Sequence, residues 1–403
     1  MTNKALEGVK VAALIQGITG PLTAAILASY GAQVLRIESR TRIEWHRQAG
    51  PFIGNVSLPD RATGYLIMNP GMYGVTLNLK HPRAMEVMTR IIKWTDVVVE
   101  NFAGGVMERM GLGYEDLKKI KPEIIMLSAA IYGQTGPFAE VRGYGGTLTA
   151  LTGLSHITGF PEQTPIFPGF AVTDYIAPRA NVLAIVSALD YRRRTGSGQY
   201  IDAAQAETAI PLLTPVLLEY EANGKEAERR GNRSTYAAPH GVYRCNGDER
   251  WCAITVFTDE EWQKFCQAIG NPPWSQEPEF STLMGRLENV DRLDRLVEEW
   301  TINHTPEEVM RLMQDAGVTA GVVQGGQDLS NDPQLKYRHF YWEFDHPEIG
   351  NFTYSGMPAR LSKTPYQMRR APMLGEHNEY VYTQLLGMSD EEFVQLIADG
   401  VFD

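Results

Sequence analysis

Hydrophobic positions in the first half of the chain follow two alternating rhythms. Val9–Ile15 is an unbroken apolar run, as expected of a strand covered on both faces. Gly17-Ile18-Thr19-Gly20-Pro21 follows as a turn, with Pro placed close to a helix start. That helix is predicted to run to about Tyr30, where Gly31 can stop it. Gln33–Glu38 reads as a second strand. Pro82 opens another helix, with Met85, Met88 and Ile92 at helical spacing. Asp96–Glu100 and Glu123–Ala129 are further buried strands. Strands separated by helices imply right-handed crossovers and a mainly parallel sheet. A long helix is predicted over Tyr175–Arg193, with Asp174 as its N-cap and Pro178 in its first turns. Arg192, Arg193 and Arg194 close it, where cations suit the helix dipole. A turn at Thr195–Gly198 leads to a strand over Gln199–Asp202, and a further helical stretch runs to about Glu221.

After Gly231 the texture changes. Gly241–Arg244 and Trp251–Phe257 read as antiparallel strands around the turn Asn246-Gly247-Asp248. Thr258 with Glu261, Thr305 with Glu308, and Ser389 with Glu392 have capping-box spacing, each at a helix start. The expected fold class is α/β, with a Rossmann-like parallel-sheet large domain over 1–205 and a linker over 206–237. A smaller α+β domain covers 238–330, and a C-terminal segment over 331–403 returns to the large domain.

Composition narrows the function. The 403 residues include 37 basic and 48 acidic ones, for a net charge of −11. Duplex affinity rests on Lys and Arg neutralising phosphates, so no nucleic-acid partner is expected. The stretch 209–218 is apolar but short and holds Pro211 and Pro215, well below the ~18 residues of a spanning helix. No membrane partner is expected. Cys245, Cys252 and Cys266 show no CxxC or zinc spacing, which suits a reducing, cytoplasmic setting and no metal site.

The first turn has Gly17 and Gly20, and Glu38 ends the second strand where a dinucleotide enzyme places a ribose-binding acid. The full GxGxxG is missing, so a nicotinamide site is disfavoured. Arg36, Arg40, Arg42 and Arg47 form a basic island in an acidic chain. It is either a solvated loop or a phosphate contact made by arginine forks. The eight histidines form no HExxH or close pair, and no GxSxG elbow occurs. Each histidine, His240 and His377 included, reads as structural or surface. Asp174 follows the apolar approach Phe167-Pro-Gly-Phe-Ala-Val-Thr173. A helix N-cap is one role for it. A carboxylate kept ionised by N-terminal amides is also a nucleophile at neutral pH without a base. The two roles are compatible, and the residues alone do not choose.

Several segments, in order along the chain, resemble the family III coenzyme A transferases, the group that contains formyl-CoA transferase and the carnitine and aromatic-acid CoA transferases. They are LEGVKV at Leu6–Val11, Gly20-Pro21, YGAQVLRIES at Tyr30–Ser39, VTLNLKHP at Val75–Pro82 and DVVVENF at Asp96–Phe102. GVMERMGLGYEDL at Gly105–Leu117, YGQTGPF at Tyr132–Phe138, RRRTGSGQYID at Arg192–Asp202 and APMLGEH at Ala371–His377 complete the set.

The resemblance implies that Asp174 is the nucleophile, forming first an anhydride with the donor acyl group and then a thioester with CoA. It implies CoA contacts at Leu77, Asn78, Lys80, Asn101, Phe102 and Arg109, with Gly17, Ile18 and Thr19 lining the thiol arm. Ser39 stands where the family has an arginine, so Arg40 or Arg42 takes that phosphate contact. Pro178 stands where the family often has Gly, and the glycine-rich loop of formyl-CoA transferase is missing near 230–245. Tyr144 and Gly145 line the substrate wall. Relatives often carry an acid after the Tyr, so Gly145 and Gly146 imply a roomier site and a larger acceptor, such as a substituted dicarboxylic acid. The implied reaction moves CoA from an acyl-CoA donor, possibly succinyl-CoA, to a carboxylic acid, with CoA thioester as substrate and no tightly bound cofactor. The implied assembly is an interlocked dimer, either a homodimer or a heterodimer with a homologous subunit. Alternatives of the same fold are an acyl-CoA racemase, whose branch carries a His where this chain has Tyr144, and a CoA-binding subunit of a hetero-oligomer.

Overall fold

Val11, Ala12, Ala13 and Leu14 are all almost fully enclosed, which only a strand covered by helices on both faces achieves. In the computed structural model, which describes residues 4–403, they belong to β1 (Lys10–Leu14) of a six-stranded sheet. The others are β2 (Gln33–Glu38), β3 (Tyr73–Thr76), β4 (Val97–Glu100), β5 (Ile125–Ala130) and β6 (Tyr200–Ala204). All neighbours pair parallel, in the order β3-β2-β1-β4-β5-β6. The α/β expectation holds.

Side chains alternate across this sheet with a period of two. Ala12, Leu14, Leu35, Ile37, Val75, Val98 and Met126 face one core, with the helix Ala84–Trp94. Val11, Ala13, Val34, Val97, Val99, Ile125 and Leu127 face the other, with the helices Thr19–Ser29 and Val172–Thr195. In Ala84–Trp94 the buried stripe is Ala84, Val87, Met88, Ile91 and Ile92. Met85 shares the side of Met88 and Ile92, about 20° from Ile92, but it lies at the margin of that stripe, about 90° from its centre, and is exposed.

β3 was not anticipated. It is four residues long, contains Gly74 and sits at the sheet edge. The edge is closed by the C-terminal tail. The Gly74 N–H donates to His377 Nδ1 at 3.2 Å, and the His377 N–H donates to the Gly74 carbonyl at 2.9 Å. The Thr76 N–H donates to Asn378 Oδ1 at 2.8 Å. Unpaired edge groups are thereby satisfied. Gly74 has no alternative residue, since a Cβ there would meet the Met373 carbonyl and the Pro372 ring at 2.9 Å.

The chain forms two compact units. One comprises Met1–Leu154, Phe167–Asn223 and Lys336–Asp403 and holds the six-stranded sheet. It also holds a tail hairpin, Tyr341–His346 with Gly350–Ser355. The other comprises Ser155–Ile166 and Gly224–Leu335. Its antiparallel sheet is built from His240–Arg244, Trp251–Thr255 and Thr319–Val322, with Trp251–Thr255 central. Thr258 with Glu261 and Thr305 with Glu308 form reciprocal capping boxes as the spacing predicts. Ser389 caps its helix by accepting from the Glu392 N–H.

Candidate active site

Strand order reverses between β1 and β4, so the chain leaves these neighbours in opposite directions and opens a crevice at their C-terminal ends. The turn Gln16–Ile18 follows β1, and Asn101 and Phe102 follow β4. Asn101 ties the two exits together. Its Oδ1 accepts from the Gln16 N–H and its Nδ2 donates to the Gln16 carbonyl, both at 2.8 Å. Leu77, Asn78 and Lys80 follow β3, Arg40 and Arg42 follow β2, and Arg109 ends the short helix Val106–Arg109 beyond β4. Every expected CoA residue thus lies along one edge of the sheet.

Their exposure differs. Leu77 is buried in the core, which leaves only its backbone for a ligand. Arg40, Arg42, Lys80 and Arg109 are exposed. The other half of the basic island is internal. Arg36 and Arg47 are 0% and 1% exposed, so the island is neither a solvated loop nor a four-arginine phosphate site. Arg47 makes a bidentate pair with Glu38, Nε to Oε1 at 2.9 Å and Nη2 to Oε2 at 2.8 Å. Arg36 Nε lies 3.3 Å from Glu38 Oε2. Burial opposes ionisation of Glu38, but the two guanidiniums prevail and hold its carboxyl down at about 2. Glu38 is therefore committed to internal arginines and does not face a ribose.

Asp174 is the candidate nucleophile that the resemblance implies. It is not the helix N-cap. The helix spans Val172–Thr195, its cap is Ala171, and no side chain caps it. Asp174 is the third helical residue, in the first turn, and its carboxylate turns to tertiary partners. Oδ1 accepts from Thr19 Oγ1 at 3.1 Å and from Gln205 Nε2. Gln205 Nε2 also donates to Thr173 Oγ1 at 3.0 Å. Among the described residues no donor hydrogen-bonds to Oδ2. The expected lowering by N-terminal amides is overridden: burial raises the Asp174 pKa, against the bonds from Gln205 and Thr19 and the nearby His46. Pro178 sits inside the helix and lacks the N–H that would pair with the Asp174 carbonyl four residues earlier.

Gly145 is buried against this carboxylate. A Cβ there would lie 2.5 Å from Asp174 Cγ and from Ala171 Cβ, whereas one at Gly146 would meet nothing within 4 Å. The absent side chain at 145 therefore makes room for the aspartate itself, and open space begins at Gly146. Tyr144 is 76% exposed, and its ring meets that of Trp45 edge-on at 6.2 Å.

Three contributors escaped the sequence reading. Gln205 directly follows β6, so its position at the same sheet edge was the available signal. Glu44 and His46 lie inside the basic island, where the arginines drew attention. Glu44 Oε1 accepts from the Gly17 N–H at 2.9 Å, and His46 Nδ1 lies 3.0 Å from the Gly17 carbonyl. His377 serves the β3 edge and His240 Nδ1 bonds to the Asn232 carbonyl. The three cysteines are buried, and burial pushes the Cys252 thiol up to about 12, far from a thiolate nucleophile. Among the described residues no group of three or more His, Cys, Asp or Glu is arranged to hold a metal ion, and no helix is long and apolar enough to cross a membrane.

The sequence model of CoA-transferase family III matches residues 6–378. The chain belongs to CoA-transferase family III. It is 30% identical to a succinyl-CoA–D-citramalate CoA-transferase of Chloroflexus aurantiacus, over 98% of each chain. It is 31% identical to the beta subunit of a succinyl-CoA–L-malate CoA-transferase from the same organism, over 98% of this chain and 97% of that one. It is 29% identical to a formyl-CoA:oxalate CoA-transferase of Rhodopseudomonas palustris, over 99% and 98%. The crystal structure of a CaiB/BaiF family protein from Brucella suis superposes with a TM-score of 0.86 at 29% identity, covering 95% of this chain and all of that one. The family expectation is met along the whole length, and CoA thioesters are the substrates of this enzyme class.

Proposed function

We propose that this family III CoA-transferase moves CoA from succinyl-CoA to a dicarboxylic acid through covalent intermediates on Asp174. The observation that carries the reading is the asymmetry of that carboxylate. Oδ1 is held by Thr19 and Gln205, while Oδ2 is left without a hydrogen bond among the described residues.

Oδ2 attacks the donor thioester carbonyl, and the C–S bond breaks, giving an acyl-aspartyl anhydride and CoA thiolate. The thiolate attacks Asp174 Cγ and expels the donor carboxylate, which leaves an aspartyl-CoA thioester. The acceptor carboxylate then attacks Cγ and releases the thiolate. Attack of that thiolate on the acceptor carbonyl gives the new thioester and restores Asp174. No proton moves, which fits a site with no Ser–His pair. Thr19 and Gln205, aimed at Oδ1, would stabilise the charge that develops on this oxygen when Cγ becomes tetrahedral.

The acceptor class is argued from the relatives. The D-citramalate, L-malate and oxalate named for them are all dicarboxylates. Succinyl-CoA is the donor named for two of them. Arg40, Arg42, Lys80 and Arg109 would take the nucleotide end of CoA, as exposed cations at the same sheet edge. The assembly we propose is the interlocked dimer, formed with itself or, as the beta-subunit relative suggests, with a homologous chain.

The test is to incubate the purified protein with succinyl-CoA and a panel of mono- and dicarboxylic acids and read new CoA thioesters by mass spectrometry. Transfer to none of them, or only to monocarboxylates, would overturn the substrate class.

A further inference from the structure

Gly17 is held by two neighbouring side chains at once. Its N–H donates to Glu44 Oε1 at 2.9 Å, and its carbonyl accepts from His46 Nδ1 at 3.0 Å. His46 Nδ1 faces two acceptors, the Gly17 carbonyl and Glu44 Oε1 at 3.4 Å, so this nitrogen carries the hydrogen. Glu44 is backed in turn by buried Arg36, whose Nη2 lies 3.7 Å from Oε2. Gly17 has φ +69°, a left-handed conformation that glycine adopts freely and that must be specified by its surroundings. Two residues later the helix Thr19–Ser29 begins, and Thr19 Oγ1 donates to Asp174 Oδ1. His46 and Thr19 are both buried, at 7% and 4% exposure.

We propose that Glu44 and His46 are positioning residues that clamp Gly17 and so deliver the Thr19 hydroxyl to Asp174. The inference rests on Asp174 being the reacting carboxylate. Released, the turn relaxes, Thr19 withdraws, and Oδ1 keeps Gln205 alone. The carboxylate then swings, and Oδ2 loses its line of attack. A misplacement of about 1 Å costs on the order of 100-fold in rate even when it originates away from the reacting group.

A double-variant cycle separates this role from a simple charge effect on Asp174. His46→Ala and Thr19→Val are each expected to lower kcat about 10- to 100-fold, with the KM for acyl-CoA changed less than about threefold. Because His46 acts through Thr19, adding His46→Ala to Thr19→Val should cost little more. His46→Asn places an amide N–H where Nδ1 was and should restore most of the rate. His46→Gln, whose amide reaches the Nε2 position instead, should not. A second readout needs no turnover: the Asp174 carboxyl titration, followed by carbon NMR on labelled protein. Its midpoint should rise in His46→Ala, fall back in His46→Asn, and stay put when His46→Ala is added to Thr19→Val. Full additivity in the cycle, or an Asn variant as impaired as Ala, would overturn the clamp. If the unaltered protein transfers CoA to no acid, it is the proposed function that fails, and the NMR cycle still decides the clamp.

Discussion

Thr19 Oγ1 and Asp174 Oδ1 lie 3.1 Å apart although 155 positions separate them in the chain. The first opens the helix that follows β1 and the second lies in the first turn of the helix that leads into β6. Gln205, just beyond β6, completes the set on the same oxygen. Two sheet exits and the start of one helix therefore assemble one carboxylate environment, and each contribution can be removed separately.

Asp174→Asn should abolish transfer and stabilise the fold. The amide oxygen can still accept from Thr19 and Gln205, while the cost of burying a charge disappears. Folded Asp174 titrates above its ordinary value, so its stability contribution is complete below the unfolded pKa and is lost as pH rises through the folded one. The native chain therefore loses stability toward higher pH, a loss the Asn variant does not share. The variant should melt about 1–3 °C higher at neutral pH, with transfer reduced by roughly a thousandfold or more. A variant that melts lower while still transferring CoA would refute both halves.

Gly145→Ala should damage catalysis more than binding. The new Cβ would overlap the Asp174 carboxylate and Ala171, so Asp174 must move. A fall in kcat of about 10- to 100-fold is expected, with free CoA binding within a factor of about three by calorimetry. Gly146→Ala, which meets open space, is the matched control and should retain activity with small acceptors.

Arg109→Ala should weaken CoA binding by about 1.5–3 kcal/mol, the range for a hydrogen bond to a charged group. Arg109 is exposed and, among the described residues, no ion pair is formed by it. A contact to the nucleotide end of CoA is remote from the reacting carbonyl, so kcat should change less than Kd. Equal CoA affinity in the two proteins would remove Arg109 from the nucleotide site.

Glu100 should make the sheet edge sensitive to pH. It is buried at the end of β4, and burial raises its carboxyl to about 7, against bonds from Ser128 and the Phe102 N–H. Glu108 and Asp202 add to the rise. The favourable contribution is complete below the ordinary glutamate value and is lost as pH climbs through about 7. Glu100→Gln should remove this dependence, gaining up to about 3 kcal/mol over the native chain at pH 8 relative to pH 5. Denaturant midpoints that change with pH identically in both proteins would contradict it.

The parallel sheet was legible because β1, β2, β4 and β5 are apolar runs bounded by glycine or charge. β3 was not, because four residues containing Gly74 carry no periodic signal, and its partners come from residues 302–303 positions downstream. Asp174 stood out in the sequence, but the N-cap role read for it there is overturned, since Ala171 is the cap. Local reasoning offers Asp as a cap, whereas the decisive bonds come from Thr19 and Gln205, which no window of sequence contains. The arginine island misled for a different reason: Glu38 and Glu44 lie within it, but that they and Asp60 pair with Arg36 and Arg47 inside the fold is set by packing and not by local charge. His46 looked inert because its partner is a backbone carbonyl.

The inequivalence of the two Asp174 oxygens leaves an isotopic signature. In the proposed route the donor acid departs with the oxygen that attacked, and the acceptor later supplies its replacement. If Thr19 and Gln205 keep Oδ1 from exchanging places with Oδ2, the incoming atom occupies the attacking position and leaves in the following cycle. Heavy oxygen introduced in one acceptor pulse should then emerge quantitatively in the next molecule of donor acid, with none retained. A freely rotating carboxylate would hold back half of the label after each cycle. The enzyme would thus remember each acceptor for a single turnover, and the persistence of that memory measures how rarely the side chain flips.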